Sequence, residues 1–173
     1  AVRLAEKYGK PCLVLGGKGE VFKGSGRSIP GIHLVECITK AAEYLKAEDY
    51  DAILVDAPCS GLGVMRRKPD IKYTKREEDL QSLQTIQLNI LKNAVQLLKV
   101  GGKLVYSTCT VDKEENEGTV KAFLANHPEM EAVALENLPE QLMTKQHDGM
   151  LQVFPQDIGS DGFFVAAFIK KGE

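Results

Sequence analysis

Continuous apolar runs of strand length alternate along the chain with longer segments in which apolar residues recur at helical spacing. Three such runs are PCLVLGG at 11–17, YDAILVDA at 50–57 and GKLVYSTCT at 102–110. Apolar runs of this length are typical of strands buried on both faces of a parallel sheet. The pattern therefore predicts strands that are connected by helices.

Helical spacing is clearest between the second and third of these runs. Apolar residues recur on one face from Leu80 to Leu97, and Thr74 stands three residues before Glu77 in a capping-box pattern. A glycine pair follows at 101–102. We therefore predict a helix over 74–99 that the glycines stop.

Two shorter helices and a terminal hairpin complete the predicted fold. One helix is predicted over 32–46, and another over 114–126, where acidic residues suit the positive end of the helix dipole. MLQVFPQ and GFFVAAFIKK are strand-like, and the short connection DIGSDG favours an antiparallel hairpin. We predict a single α/β domain over 1–173, a Rossmann-like three-layer sheet that is mainly parallel with a C-terminal antiparallel hairpin.

Composition narrows the class of protein. The 173 residues carry a net charge of −2 and a pI near 6.0, so nucleic acid could be attracted only by a local basic patch. The four cysteines form no CxxC pair, so neither a metal site nor a disulfide framework is predicted. No segment has transmembrane length or a leader pattern, and we expect a cytoplasmic protein without a membrane partner.

Two cysteines follow two of the predicted strands. Cys59 lies in DAPCSG and Cys109 in STCT, and the carboxyl ends of strands form the functional crevice of open α/β sheets. If the two strands are parallel neighbours, we expect the sulfurs within about a nanometre of each other, in one cleft with Asp56. The alternative is that each cysteine is a small hydrophobic residue at a strand end.

A basic run follows the first of these cysteine loops. It comprises Arg66, Arg67, Lys68, Lys72, Lys75 and Arg76. Phosphate contacts need positive charge at this local density, which makes the run a candidate RNA-binding surface. The alternative is a solvated entry to the following helix.

Several of these motifs together resemble one enzyme family. DAPCSGLGVMRRKPDIKY, GGKLVYSTCT, EEN and GSDGFF occur in the order and spacing of the Sun-type ribosomal RNA cytosine-C5 methyltransferases, the bacterial Fmu-like enzymes. The resemblance covers residues 47–171. It implies that Cys109 is the nucleophile that adds to C6 of a cytosine, and that Cys59 helps to release the enzyme from the methylated product.

The resemblance also implies roles for neighbouring residues. Asp56 would hold the edge of the base, and Pro58 would lie close to the cofactor, S-adenosylmethionine, and to the base. The basic residues Arg66, Arg67 and Lys68 would hold RNA phosphates while the target base is turned out of its stack.

The chain departs from that family at the cofactor. The resemblance calls for a glycine-rich loop similar to DxCAAPGGKT after the first strand, and for acidic residues after later strands. GGKG at 16–19 and GSGRS at 24–28 supply glycines, but no acidic residue follows at the usual interval. We therefore expect no tightly bound cofactor.

The first residues resemble a different family. AVRLAEKYGKPCLVL and KGSGRSIPGIHLVECITKAAEYL are similar to the substrate-binding domain of RecJ-type DHH phosphoesterases, over residues 1–46. In that family the GSGRS loop approaches a phosphate, which makes Arg27 a candidate nucleic-acid contact. The alternative is a glycine-rich turn that joins a strand to a helix.

These observations leave three interpretations open. The leading one is an engineered or shuffled chimera, in which N-terminal strands of foreign origin are joined near 46–48 to a methyltransferase segment over 47–173 and no methylation occurs. The second is a methyltransferase fragment that needs a partner chain for the cofactor. The third is a nucleic-acid-binding module that uses Arg27 and the basic run. An unpaired sheet edge would also allow oligomers.

Overall fold

One open sheet organises the protein. The computed structural model describes residues 12–15, 21–23, 27–29, 47, 50–74 and 77–172. The described strands pair in the order β3-β2-β1-β4-β5-β9-β8-β7, and β6 also pairs with β9. The strands are β1 (Cys12–Leu15), β2 (Val21–Lys23), β3 (Arg27–Ile29), β4 (Tyr50–Asp56), β5 (Leu98–Thr108), β6 (Met130–Ala132), β7 (Gln146–His147), β8 (Met150–Val153) and β9 (Phe163–Lys170).

The centre of the sheet is parallel. β1 pairs with β4 and β4 pairs with β5, and the second pairing places Ala52 opposite Lys103 and Asp56 opposite Ser107. This confirms the predicted adjacency of the two strands that precede the cysteine loops. Their carboxyl ends therefore lie at the same edge of the sheet.

Both flanks of the sheet are antiparallel. β9 pairs antiparallel with β5 and with β8, which confirms the C-terminal hairpin. On the other flank β2 pairs antiparallel with β1 and with β3. The interpretation of GSGRS as a turn from a strand to a helix is wrong, because residues on both sides of 24–26 are paired strands.

Helices and helical turns connect the strands of the sheet. They are α1 (Ile71–Thr74), α2 (Glu77–Leu97), α3 (Thr119–Asn126), α4 (Glu140–Met143) and α5 (Pro155–Ile158), with a 3₁₀ turn at Leu62–Val64 and a π-helical turn at Glu114–Gly118. α2 and α3 confirm the helices predicted over 74–99 and 114–126. The helix predicted over 32–46 and the side chain of the Thr74 cap lie outside the described residues. Within the described ranges, no helix is long and apolar enough to cross a membrane.

The glycine pair does not stop α2, contrary to the prediction. The helix ends at Leu97 and β5 begins at Leu98. The register shifts here, since Tyr50 opposes Leu98 whereas Ala52 opposes Lys103. Gly101 has a φ of 77°, so it takes up the left-handed backbone of this bulge at no steric cost.

Alternate residues of the central strands form the core beneath α2. Ile53 and Val55 of β4 are at most 1% exposed, as are Leu104 and Tyr106 of β5. They belong to one apolar cluster with residues of α2, α3 and β9, namely Ile90, Leu91, Ala94, Val120, Phe123, Phe164, Ala166 and Phe168. This packing fixes the two strands whose ends carry the cysteine loops.

We expect Val55→Ala to lower the free energy of unfolding by about 2 kcal/mol, because it removes two buried carbons and leaves a cavity. Val100→Ala is the matched control, since Val100 lies in the neighbouring strand and is 57% exposed. Urea denaturation of both variants measures the difference. Equal losses in the two variants would contradict the assigned core.

Candidate functional site

The candidate site lies where the loops after β4 and β5 meet. The Ala57 amide donates to the Ser107 carbonyl at 2.9 Å, which continues the strand ladder by one residue. Further along, the Gly63 amide donates to the Cys109 carbonyl at 3.0 Å. The loop that carries Cys59 is thereby held against the end of β5.

The GSDG segment that precedes β9 also contacts the Cys59 loop. The Gly162 amide donates to the Gly63 carbonyl at 2.9 Å. A β-carbon on Gly63 would lie 2.2 Å from the Gly162 carbonyl oxygen, so a larger residue would force the two loops apart. Gly63 of GLG and Gly162 of GSDG therefore allow the close approach that shapes this rim.

The two thiols contact each other at this rim. The Sγ atoms of Cys59 and Cys109 are 3.3 Å apart, and both residues are half-buried free cysteines. The predicted separation of less than a nanometre is confirmed. The distance is far beyond the roughly 2.05 Å of a disulfide bond, so the contact joins two thiols.

The contact shifts the pKa values of the two thiols in opposite directions. The hydrogen bond from Cys59 lowers the pKa of Cys109 to about 7, against the opposing effects of burial and of the Asp56 charge. The same hydrogen bond, together with burial, raises the pKa of Cys59. Cys109 is therefore the sulfur that ionises first, and once it is a thiolate Cys59 is the S–H donor.

Asp56 and Pro58 lie at the end of β4 beside the thiols. Asp56 is exposed, and one of its carboxylate oxygens accepts a hydrogen bond from the Ser107 hydroxyl at 3.3 Å. Pro58 is half-buried, and its carbonyl accepts from the Gln87 side chain of α2 at 3.0 Å. The predicted residues Asp56, Pro58, Cys59 and Cys109 therefore belong to one edge of the sheet.

A buried polar network behind the thiols was missed by the sequence analysis. Its members are at most 2% exposed: Ser60, Gln87, Thr108, Thr110, Glu115, Asn116 and Thr119. The Ser60 hydroxyl contacts the Thr110 hydroxyl at 2.8 Å. The Asn116 amide group donates to the Thr110 carbonyl at 3.1 Å and accepts from the Thr108 hydroxyl at 2.7 Å.

Glu115 is the charged member of this network. One carboxylate oxygen, Oε2, accepts from the Ser60 amide and from the Gln87 side chain, both at 2.9 Å. The acidic residues at the start of the helix predicted over 114–126 were expected to suit the helix dipole, and the structure shows in addition that Glu115 is 0% exposed. The EEN motif was the sequence feature that could have pointed to Glu115 as a site residue. Its three polar residues give no indication that the glutamate is buried.

The basic residues that follow the Cys59 loop differ in their contacts within the protein. Arg67 is 69% exposed and forms an ion pair with the buried Asp161 of GSDG, and its contact with an RNA phosphate stays a prediction. Arg66 and Lys68 are exposed. Arg27 begins β3, which is separated from β4 by two strands, and at about 5 Å per strand it does not belong to the thiol rim.

Several known proteins are similar to this chain in sequence. Residues 32–169 match the family described as 16S rRNA methyltransferase RsmB/F. The probable ribosomal RNA small subunit methyltransferase B of Bacillus subtilis is 51% identical over 135 residues, which cover 77% of this chain and 30% of that protein. Ribosomal RNA small subunit methyltransferase B of Salmonella typhi is 40% identical over 157 residues, covering 91% of this chain and 32% of that protein.

Solved structures show the same fold. NSun6 from Pyrococcus horikoshii, crystallised with SFG, has a TM-score of 0.65 and 25% identity, covering 87% of this chain and 36% of that chain. The present chain therefore spans about a third of the length of the relatives it matches.

We expect Cys59→Ala to raise the pKa of Cys109 above about 7, because the substitution removes the hydrogen bond that lowers it while burial and Asp56 still act upward. At pH 7 the rate of Cys109 alkylation by iodoacetamide should fall by about tenfold, since only the thiolate reacts. Peptide-resolved mass spectrometry measures the rate at each cysteine. The control Asp56→Asn should change the rate in the opposite direction, and an unchanged rate in Cys59→Ala would contradict the assigned donor.

Proposed function

We propose, because the chain belongs to the 16S rRNA methyltransferase RsmB/F family, that it carries the nucleophile half of a site that methylates cytosine C5 in ribosomal RNA. The observation that carries this proposal is the contact of the two thiols at 3.3 Å, with the pKa of Cys109 lowered by its neighbour. A cysteine that ionises near neutral pH can attack an electron-poor ring carbon.

The proposed reaction begins with Cys109. Its thiolate adds to C6 of cytosine, and the electron pair of the C5–C6 bond moves to C5 and makes that carbon a nucleophile. Asp56, exposed at the rim, holds the edge of the base, and protonation at N3 makes C6 more electrophilic. Once C5 has been substituted, the C5 proton passes to solvent, its bonding pair re-forms the C5–C6 double bond, and the C6–S pair leaves with the Cys109 thiolate, which restores the ring.

Cys59 is suited to the release step. It is the protonated partner of the pair, and its sulfur lies 3.3 Å from the sulfur that leaves the base. Donation of its proton toward the departing Cys109 thiolate would stabilise that leaving group. Pro58 places the backbone of this loop beside the base.

We propose RNA as the partner, because the relatives are ribosomal RNA methyltransferases by name. Arg66 and Lys68 are exposed directly after the Cys59 loop, and Lys72 and Tyr73 are exposed on α1. Cationic side chains next to an exposed ring suit a single-stranded or looped RNA, which offers phosphates and unstacked bases together.

S-adenosylmethionine is the methyl donor that the family resemblance implies, and the described residues do not by themselves fit it. β1 lies beside β4, but it continues into the antiparallel strand β2, with Leu15 opposite Val21. A strand that leads into a hairpin does not supply the strand-to-helix turn expected for a nucleotide cofactor. We propose that this chain alone does not complete methyl transfer.

The chimeric origin is a second proposal about the same chain. The hairpin arrangement of β1 and β2 supports it, because it departs from the strand-helix order of the resemblance. Matches that begin at residue 32 or cover 91% of the chain count against a junction at 46–48. Micromolar binding of S-adenosylmethionine, measured by calorimetry, would contradict the chimera and favour the methyltransferase interpretation.

We expect the chain to catalyse exchange of the C5 hydrogen of cytosine in ribosomal RNA without any cofactor. Thiolate addition at C6 lets C5 take a proton from solvent, and reversal removes the original one. Incubation in D2O followed by mass spectrometry of the nucleosides measures the incorporated deuterium. Cys109→Ala should abolish the exchange, and exchange that persists in this variant would contradict the assigned nucleophile.

We expect Arg66→Ala and Lys68→Ala to weaken RNA binding and to reduce its salt dependence. Each lost phosphate contact should lower the slope of log affinity against log salt by about 0.7 for single-stranded RNA. Fluorescence anisotropy at several salt concentrations measures the slope. Lys92→Ala on α2 removes the same charge from an exposed position outside the basic run, and an equal effect in this control would contradict a local RNA surface.

A further inference from the structure

The peptide groups on both sides of Cys59 are held by side chains from outside its loop. The carbonyl of Pro58, which precedes the cysteine, accepts from Gln87 Nε2 at 3.0 Å. The amide of Ser60, which follows the cysteine, donates to Glu115 Oε2 at 2.9 Å. Gln87 Nε2 also donates to Glu115 Oε2 at 2.9 Å, so one connected pair fixes both flanks of Cys59.

Each member of this pair is itself held in place. The Glu115 amide donates to Asp112 Oδ1 at 3.0 Å, and the Glu115 carbonyl accepts from the Tyr106 hydroxyl at 2.8 Å. The hydroxyl of Thr119 contacts Gln87 Oε1 at 3.2 Å, which fixes the orientation of that amide. The carboxylate therefore lies on a turn that is held in place. Through its hydrogen bond to the Ser60 amide, it fixes the position of the Cys59 loop.

Burial of the Glu115 carboxylate is energetically unfavourable. The residue is 0% exposed, and its second oxygen, Oε1, makes no hydrogen bond among the described residues. Its negative charge disfavours a thiolate nearby. The charge-assisted hydrogen bonds to the Ser60 amide and the Gln87 side chain offset part of the cost of burying this carboxylate.

We propose that Glu115, together with Gln87, is a positioning residue that holds the thiol of Cys59 against the sulfur of Cys109. The proposal builds on the role of Cys109 proposed above and adds a residue that touches neither the base nor the reacting sulfur. The polar clasp, formed by Glu115 and Gln87, sets the distance between the two sulfurs.

Two effects of Glu115 on Cys109 have opposite signs, which makes the proposal testable. The titratable groups around Cys109 are Cys59, Asp56, Glu115 and, beside Cys59, Tyr106. Among them the hydrogen bond from Cys59 is the largest influence on the pKa of Cys109 and lowers it, whereas the charge of Glu115 raises it slightly. Loss of position and loss of charge therefore shift the reactivity of Cys109 in opposite directions.

Two substitutions separate these effects. Glu115→Asp keeps the charge but withdraws the carboxylate from the Ser60 amide, so it should slow alkylation of Cys109 at pH 7 by about threefold or more, because less thiolate is present. Glu115→Gln keeps an oxygen that can accept both hydrogen bonds but removes the charge. It should therefore alkylate at least as fast as the parent chain.

Peptide-resolved iodoacetamide labelling across pH 5 to about pH 10 gives the rate and its midpoint for each variant, over the range in which a cysteine ionises. Circular dichroism establishes that each variant is folded. In a Cys59→Ala background, Glu115→Asp should produce no further slowing, because the thiol it positions is absent. Gln87→Met, which releases the Pro58 carbonyl, should slow labelling as Glu115→Asp does, and it decides the question if Glu115→Asp does not fold.

Slower labelling in Glu115→Asp with unimpaired labelling in Glu115→Gln supports the clasp. Equal changes in both variants, no change in either, or slowing that persists without Cys59 overturns it. The measurement involves neither RNA nor methyl transfer. Failure of the hydrogen-exchange experiment would therefore count against the proposed function alone, and failure here would count against the clasp alone.

Discussion

Parallel pairing of β4 with β5, in the register that opposes Asp56 and Ser107, is the constraint on which the rest of the site depends. Because both strands end at the same edge, the loops that follow them meet, and the Ala57 amide extends the pairing into the first loop. The apolar side chains beneath α2 hold this register. A slip of one residue would turn Val55 and Tyr106 away from the core.

Beyond the strand ends, hydrogen bonds rather than apolar burial hold the loops of the site in place. The Cys59 loop is held by the Gly63 amide, by Gln87 and by Glu115. Buried polar groups are costly unless they are paired, so such a network favours one arrangement of the loops over its alternatives. This explains how two half-buried thiols can be kept 3.3 Å apart on loops, where a backbone is usually free to move.

Hydrophobic periodicity predicted much of the fold, because it depends on local sequence. The apolar face of α2 and the runs that became β4 and β5 were recognisable without tertiary information. The motifs around Cys59 and Cys109 also predicted the rim. Their contact followed from the geometry of adjacent parallel strands.

Contacts between distant parts of the chain were not predictable. Arg67 pairs with Asp161, 94 positions away, and its place in a basic run suggested only a solvated or phosphate-binding role. Gly101 looked like a helix stop because the local pattern cannot distinguish a cap from a bulge in the next strand. Glu115 looked like a helix-start acid, and only the packing of its turn against Ser60 and Gln87 shows that it is buried.

The chemistry of the rim depends on a Cys59 that stays protonated and donates to a Cys109 that ionises near neutral pH. The most direct test is a pH titration of the intact chain with 13C-labelled cysteine β-carbons, observed by NMR, with each signal assigned by single cysteine substitutions. We predict that the Cys109 signal titrates near pH 7 and that the Cys59 signal titrates well above it. Titration of both signals together near the ordinary pKa of a free cysteine, about 8.5, would contradict a hydrogen bond from a protonated Cys59 to the Cys109 thiolate.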